Sequence, residues 1–254
     1  MSRICCLLLL LVSLQSCEHS GDTTSYIQLP TSTRISLAAQ VANNGSYYHA
    51  LSDVHGILAS GETHTITRYG DSTGISKQRW VAGNFQNTKQ LGGAPGTIYL
   101  NSRQYHFQGA DDIQKTDTTV WNTSGINKWQ ISGNAAASRA FDVAGDFPTY
   151  KGVLPVTLFK DRDLILEFNT HSVQHADNAF LMLWNMHEHY LSPVADARNG
   201  RIVIPADKIK RLHAHQKEYT KFNLVLFSNR IHPYGLKHIA TPVVSEYVCW
   251  VEIK

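Results

Sequence analysis

The sequence predicts an all-β protein of the sandwich type, with one short connecting helix. Three observations carry that expectation. Short runs of apolar residues alternate with polar ones at a period of two, the repeat of a half-buried strand. Turn-forming residues recur every dozen or so positions, as at NNG (43–45), GG (92–93), DFP (146–148) and NG (199–200). Charged residues make up only 17% of the chain, below the ~25% usual in soluble domains, and Thr, Ser, Asn, Gln and Gly fill the gap.

Taken in order, residues 34–41 (RISLAAQV) put Ile35, Leu37, Ala39 and Val41 on one side of a first strand. Residues 64–69 (HTITRY) are short and β-branched. The pair 97–100 (TIYL) and 104–108 (QYHFQ), separated by NSR, reads as a tight hairpin. Residues 164–168 (LILEF) and 179–186 (AFLMLWNM) do not alternate, so both are expected to be strands buried on both sides. Residues 201–204 (RIVI) and 222–227 (FNLVLF) follow. The last strand, 244–253, should turn Tyr247, Cys249, Val251 and Ile253 one way and Val248 and Trp250 the other.

The helix is expected over 205–212 (PADKIKRL), where Pro205 suits a first turn and Ile209 and Leu212 fall three apart. Residues 26–254 then form the β-sandwich domain. A division into two lobes would have its seam at 111–119 (DDIQKTDTT).

The N-terminus has its own logic. Arg3 precedes an apolar run over 4–12 that is too short for a bilayer, which needs ~20 apolar residues. A positive start, a short apolar centre and a small residue before the break describe a secretory signal over residues 1–16. The break itself, LQSC (14–17), resembles the lipobox of bacterial lipoproteins. That resemblance implies a diacylglycerol thioether and an N-acyl chain on Cys17, with residues 17–25 as a polar lipidated tether. The membrane lipid would hold the chain through this N-terminus, since several acyl chains bind firmly where one binds marginally. With Cys5 and Cys6 removed and Cys17 acylated, Cys249 would remain alone, so no intramolecular disulfide is expected.

The second half carries another resemblance. The segments GTIYLN (96–101), WQISG (129–133), FPTYKGVLP (147–155), ADNAFLML (176–183), GRIVI (200–204) and NLVLF (223–227) resemble a group of small lipoproteins from Bacteroidetes-type bacteria, over residues 95–254. The resemblance implies an immunoglobulin-like antiparallel sandwich, an exported protein lipid-anchored to the bacterial envelope at the outer membrane, and no catalytic residues.

Chemistry in the residues themselves is sparse. The formal charge of +3 falls short of the basic stripe that nucleic acid requires. There is no Gly-x-Ser-x-Gly elbow and no phosphate-cradling loop, and Cys249 sits on an expected core face, so an enzyme is not expected and no cofactor is called for. Thirteen histidines are the one excess. His187 with His189, and His213 with His215, each put two imidazoles on one side of an extended segment. There they would share a metal with help from His171, His175 or Asp177. For a glycan partner, Trp80 and Trp121 lie in polar company (KQRWVAG, TTVWNTSG) and would offer exposed rings for stacking, while Trp184 and Trp250 belong to apolar strands. The leading expectation is a non-enzymatic envelope or surface interaction protein whose partner is a glycan or an envelope protein.

Overall fold

A computed structural model describes residues 54–69, 72–85, 97–106, 112–115, 120–123, 125–132, 138–185, 188–213, 220–235 and 237–254. All of them belong to one compact unit, Thr31–Lys254. The signal segment, Cys17, the tether and the strand expected over 34–41 lie outside the described residues.

The fold is all-β and sandwich-like, with one helix among the described residues. Its first layer is a large sheet whose central strand is β1 (Val54–Tyr69). One edge of β1 pairs antiparallel with β2 (Ser72–Phe85) over fourteen registered residues. The other edge pairs parallel with two strands in succession, β18 (Lys237–Ala240) and β19 (Val243–Ile253). Beyond β19 the sheet continues antiparallel through β16 (Thr220–Ser228) and β12 (Asn178–Trp184), whose edges carry β13 (His189–Leu191) and β14 (Ala195–Asp196). The sheet is therefore mixed, where an antiparallel one was expected. The long chain between β1 and β18 allows the parallel crossover, which a hairpin could not make.

Asp112–Lys115, within the expected seam, form β5 and pair with β2, in the same sheet as β1 and the C-terminal strands. The run over 164–168 is a second correction. It forms β10 (Leu164–Glu167) in a two-stranded ribbon with β15 (Arg201–Ile204). Only one side of that ribbon meets the core, and Ile165 on the other side is 52% exposed. The run over 179–186 behaves as expected, since β12 is buried on both faces. The helix, α1 (Ala206–His213), buries Ile209 and Leu212, and its first free amide, that of Ala206, donates to Asp163 Oδ1 at 2.8 Å.

The second layer covers one face of the large sheet in two places. The ribbon β10–β15 and α1 pack Leu166, Ile202, Ile204, Ile209 and Leu212 against Leu181, Leu183, Phe222, Leu224, Tyr247, Cys249 and Val251. Farther along β1, a four-stranded antiparallel sheet lies over Leu58, Val81, Ile239 and Val243. Its strands are β3 (Thr97–Leu100), β4 (Arg103–Tyr105), β6 (Ile126–Ser132) and β7 (Arg139–Ala144), in the order β4-β3-β6-β7. The β3–β4 hairpin turns on Asn101 and Ser102, both at positive φ (48° and 71°), the twist that joins two strands through two residues. Asn101 fits this left-handed position, and its side chain also donates to Val120 O and Asn127 Oδ1.

Candidate functional site

Alternation along β1 sets the chemistry. Leu58, Ser60, Glu62, His64 and Ile66 share the face that bears both apolar cores. Leu58 belongs to one core and Ile66 packs against the other, so the polar triplet between them separates the two. The rows that cross the sheet here pass from aliphatic to ionic. One runs Leu181, Leu224, Tyr247, His64, Lys77, and the next runs Ala179, Leu226, Ser245, Glu62, Arg79.

Glu62 is the hub. It is 6% exposed, a position a carboxylate tolerates only when its charge is matched. His64 Nε2 lies 2.8 Å from Oε1, Lys77 Nζ 3.7 Å from the same oxygen, and Arg79 Nε donates to Oε2 at 3.1 Å. The imidazole of His64 first, then the guanidinium of Arg79 and the charge of Lys77, outweigh burial. Together they pull the Glu62 carboxyl from its ordinary 4.5 to about 2. Around the hub the groups are held by rings. The His64 imidazole stacks on Tyr247 with centroids 4.5 Å apart and planes 17° from parallel. The Arg79 guanidinium lies 5.5 Å from the centroid of Phe147, a member of the other core. Tyr247 Oη accepts from Tyr150 N at 2.9 Å, and burial raises the phenol above its usual value.

The opposite face of β1 carries a second buried relay. Trp80 Nε1 donates to Thr63 Oγ1 at 3.0 Å, and Thr63 Oγ1 donates to Glu246 Oε2 at 3.1 Å. Gly61 lets the indole lie flat on the strand, because a Cβ there would sit 2.1 Å from Trp80 Cζ2.

An open cleft of about 310 Å³ lies between β7 and the start of β12. Asp146, His175, Asp177 and Arg198 line it. Arg198 Nη2 is 2.5 Å from Asp177 Oδ1, and His175 Nδ1 is 4.0 Å from Asp146 Oδ2.

The structure corrects the glycan-stacking expectation. Trp80 is 1% exposed and Trp121 4%, so neither ring has a free face. Lys77 and Arg79, the charged neighbours of Trp80, point to the other side of the strand, and Trp121 donates its Nε1 to Gly145 O, distant in sequence, at 2.7 Å. Trp184 is buried, as expected for a core strand. Of the four histidines read as metal ligands, His187 and His215 lie outside the described residues. His189 is exposed on β13 opposite Trp184, and His213 Nε2 is 3.5 Å from Lys160 Nζ. Among the described residues no group of three or more His, Cys, Asp or Glu is placed to hold a metal. Cys249 is buried on the core face with Tyr247 and Val251, and burial pushes its thiol up to about 11.

Glu62 and Arg79 went unread in the sequence, and Tyr247 was read only as one side of the last strand. The signal was there in GETHT and KQR, where charges two residues apart on two consecutive strands share one face. The strand expected from the sequence began only at His64, which left Glu62 outside it.

The arrangement neutralises and fixes charge. Its carboxylate is already engaged by Arg79, Lys77 and the His64 imidazole, and the nearest thiol on the same face is held protonated. No protein-family model and no curated protein matches this sequence.

Proposed function

We propose that the chain is an exported bacterial lipoprotein, acylated at Cys17, whose β-domain acts without catalysis as an interaction protein of the envelope surface. The observation that carries this reading is LQSC (14–17) placed at the end of an apolar run that follows Arg3. The domain suits such a role. Its charged cluster is paired internally at the boundary between two apolar cores, and its buried thiol is a poor nucleophile at neutral pH. No helix among the described residues is long and apolar enough to cross a membrane. In this reading the acyl chains hold the protein to the outer membrane, and a glycan or another envelope protein is its partner.

Metabolic labelling tests the anchor. Radiolabelled palmitate should enter the product in its native host, and Cys17→Ser should abolish both the label and retention in the membrane fraction. Equal retention of the Cys17→Ser chain, without label in either form, would refute the reading.

A further inference from the structure

We infer that the surface formed by residues 153–165 and the outer side of α1 rests on an anionic lipid surface. Among the described residues the exposed large apolar side chains are Ile75, Ile126, Val153, Val156, Phe159 and Ile165, and the last four fall within thirteen residues of chain. Val153 is 88% exposed, so it stands clear of the protein rather than lining a groove. A protruding apolar group of this kind needs no matching pocket when the phase it enters is fluid. Exposed apolar groups rimmed by polar ones mark contact surfaces, and a basic rim selects a negatively charged one.

The rim is basic. Arg162 lays its guanidinium 3.8 Å from the centroid of the Phe159 ring, which puts a cation on the exposed aromatic itself. Lys160 Nζ reaches His213 at the end of α1, joining the segment to a helix that exposes Lys210 and Arg211. The nearby carboxylates are mostly engaged. Asp163 accepts from the Ala206 amide, Asp207 lies 3.5 Å from Lys208, and Glu252 lies 3.2 Å from Lys254, leaving Asp161 and the exposed Glu167 of β10 against the cations. The segment is also held in place from behind. Arg68 donates to Leu154 O and Pro155 O, and β9 (Thr157–Leu158) pairs with the end of β19. Cations next to an apolar, aromatic-bearing surface gain from anionic headgroups and from the acyl boundary together.

The inference goes beyond the acyl anchor and does not require it. Hydrogen–deuterium exchange of the full chain, read peptide by peptide, tests it locally. On vesicles of phosphatidylcholine and phosphatidylglycerol in equal parts, exchange over 153–163 should slow by about fivefold or more relative to phosphatidylcholine alone. Lys160→Glu with Arg162→Glu should remove that slowing while exchange over 178–184 in the core stays unchanged. The same comparison in a Cys17→Ser chain separates this surface from the anchor, because the slowing should persist there on bound protein. If membrane-bound protein exchanges over 153–163 at the same rate on both vesicles, the inference fails. It also fails if slowing appears without vesicles as protein concentration rises, which would assign the surface to a second copy.

Discussion

Two cores share one face of the large sheet, and they are built differently. Under the β10–β15 ribbon and α1 the filling is mostly aliphatic, with Leu154, Leu158, Leu166, Leu181, Leu183, Leu224 and Leu226 beside valines, isoleucines and alanines, and Phe168, Phe222 and Tyr247 as its buried aromatic members. Under the four-stranded sheet it is aromatic, with Tyr105, Trp121, Trp129, Phe141 and Phe147 among its members. The covering layers differ, a short ribbon and a helix over the first core and a four-stranded sheet over the second. Rings bring polar edges as well as area. Trp121 donates to Gly145 O, while the buried Asn127 binds both the amide and the carbonyl of Asn122.

The contrast is broken most severely at Trp129, which is fully buried in the centre of β6. Trp129→Ala should cost about 3–5 kcal/mol, since few neighbours in a small sheet can collapse into the space. Trp129→Phe should cost far less, because among the described residues the indole Nε1 has no hydrogen-bond partner to lose. Urea unfolding followed by circular dichroism distinguishes the two. If Trp129→Ala cost less than Leu183→Ala in the aliphatic core, the aromatic core would not be carrying its sheet.

The aliphatic core was the more legible of the two. Continuous runs such as FNLVLF and AFLMLW name their strands without help, and the 205–212 helix was found through a proline and two spaced apolar residues. The aromatic core was harder. Trp121 stands alone among polar residues, and the carbonyl that receives its indole belongs to Gly145, far along the chain. Local composition reports what flanks a ring, whereas burial depends on what arrives from elsewhere. The same limit hid the charged cluster. Glu62 and His64 are adjacent on β1, but Arg79 reaches them from β2 and Tyr247 from the parallel β19, a pairing that periodicity does not encode.

That cluster is the boundary between the cores, and charge removal there sharpens the comparison. Glu62→Gln keeps the shape and leaves Arg79 and Lys77 without their carboxylate, at a cost on the order of 2–3 kcal/mol near pH 7. The pH dependence has a definite sign. The folded carboxyl is held below its ordinary 4.5, at about 2, so its contribution is complete above about 4.5 and disappears as pH falls through 2. Stabilities of the parent and of Glu62→Gln should therefore converge in acid. A gap that stayed constant from neutral pH down to about pH 2 would mean that the carboxylate's charge contributes nothing.

The smallest effect is expected at the open cleft, and it asks whether ion pairs in this fold matter by geometry or by burial. Arg198 and Asp177 are closer together than any pair in the Glu62 cluster, at 2.5 Å, yet their side chains are 67% and 36% exposed. Water and salt screen such a pair, so Arg198→Ala should change stability by no more than about 0.5 kcal/mol, less still at high ionic strength. The loss at Glu62 should survive the same salt, because its carboxylate side chain is only 9% exposed. A loss at Arg198 as large as that at Glu62 would show that contact distance, and not exclusion from water, sets the strength of charge pairing here. It would also make the cleft, rather than the boundary on β1, the place where charge holds the two ends of the fold.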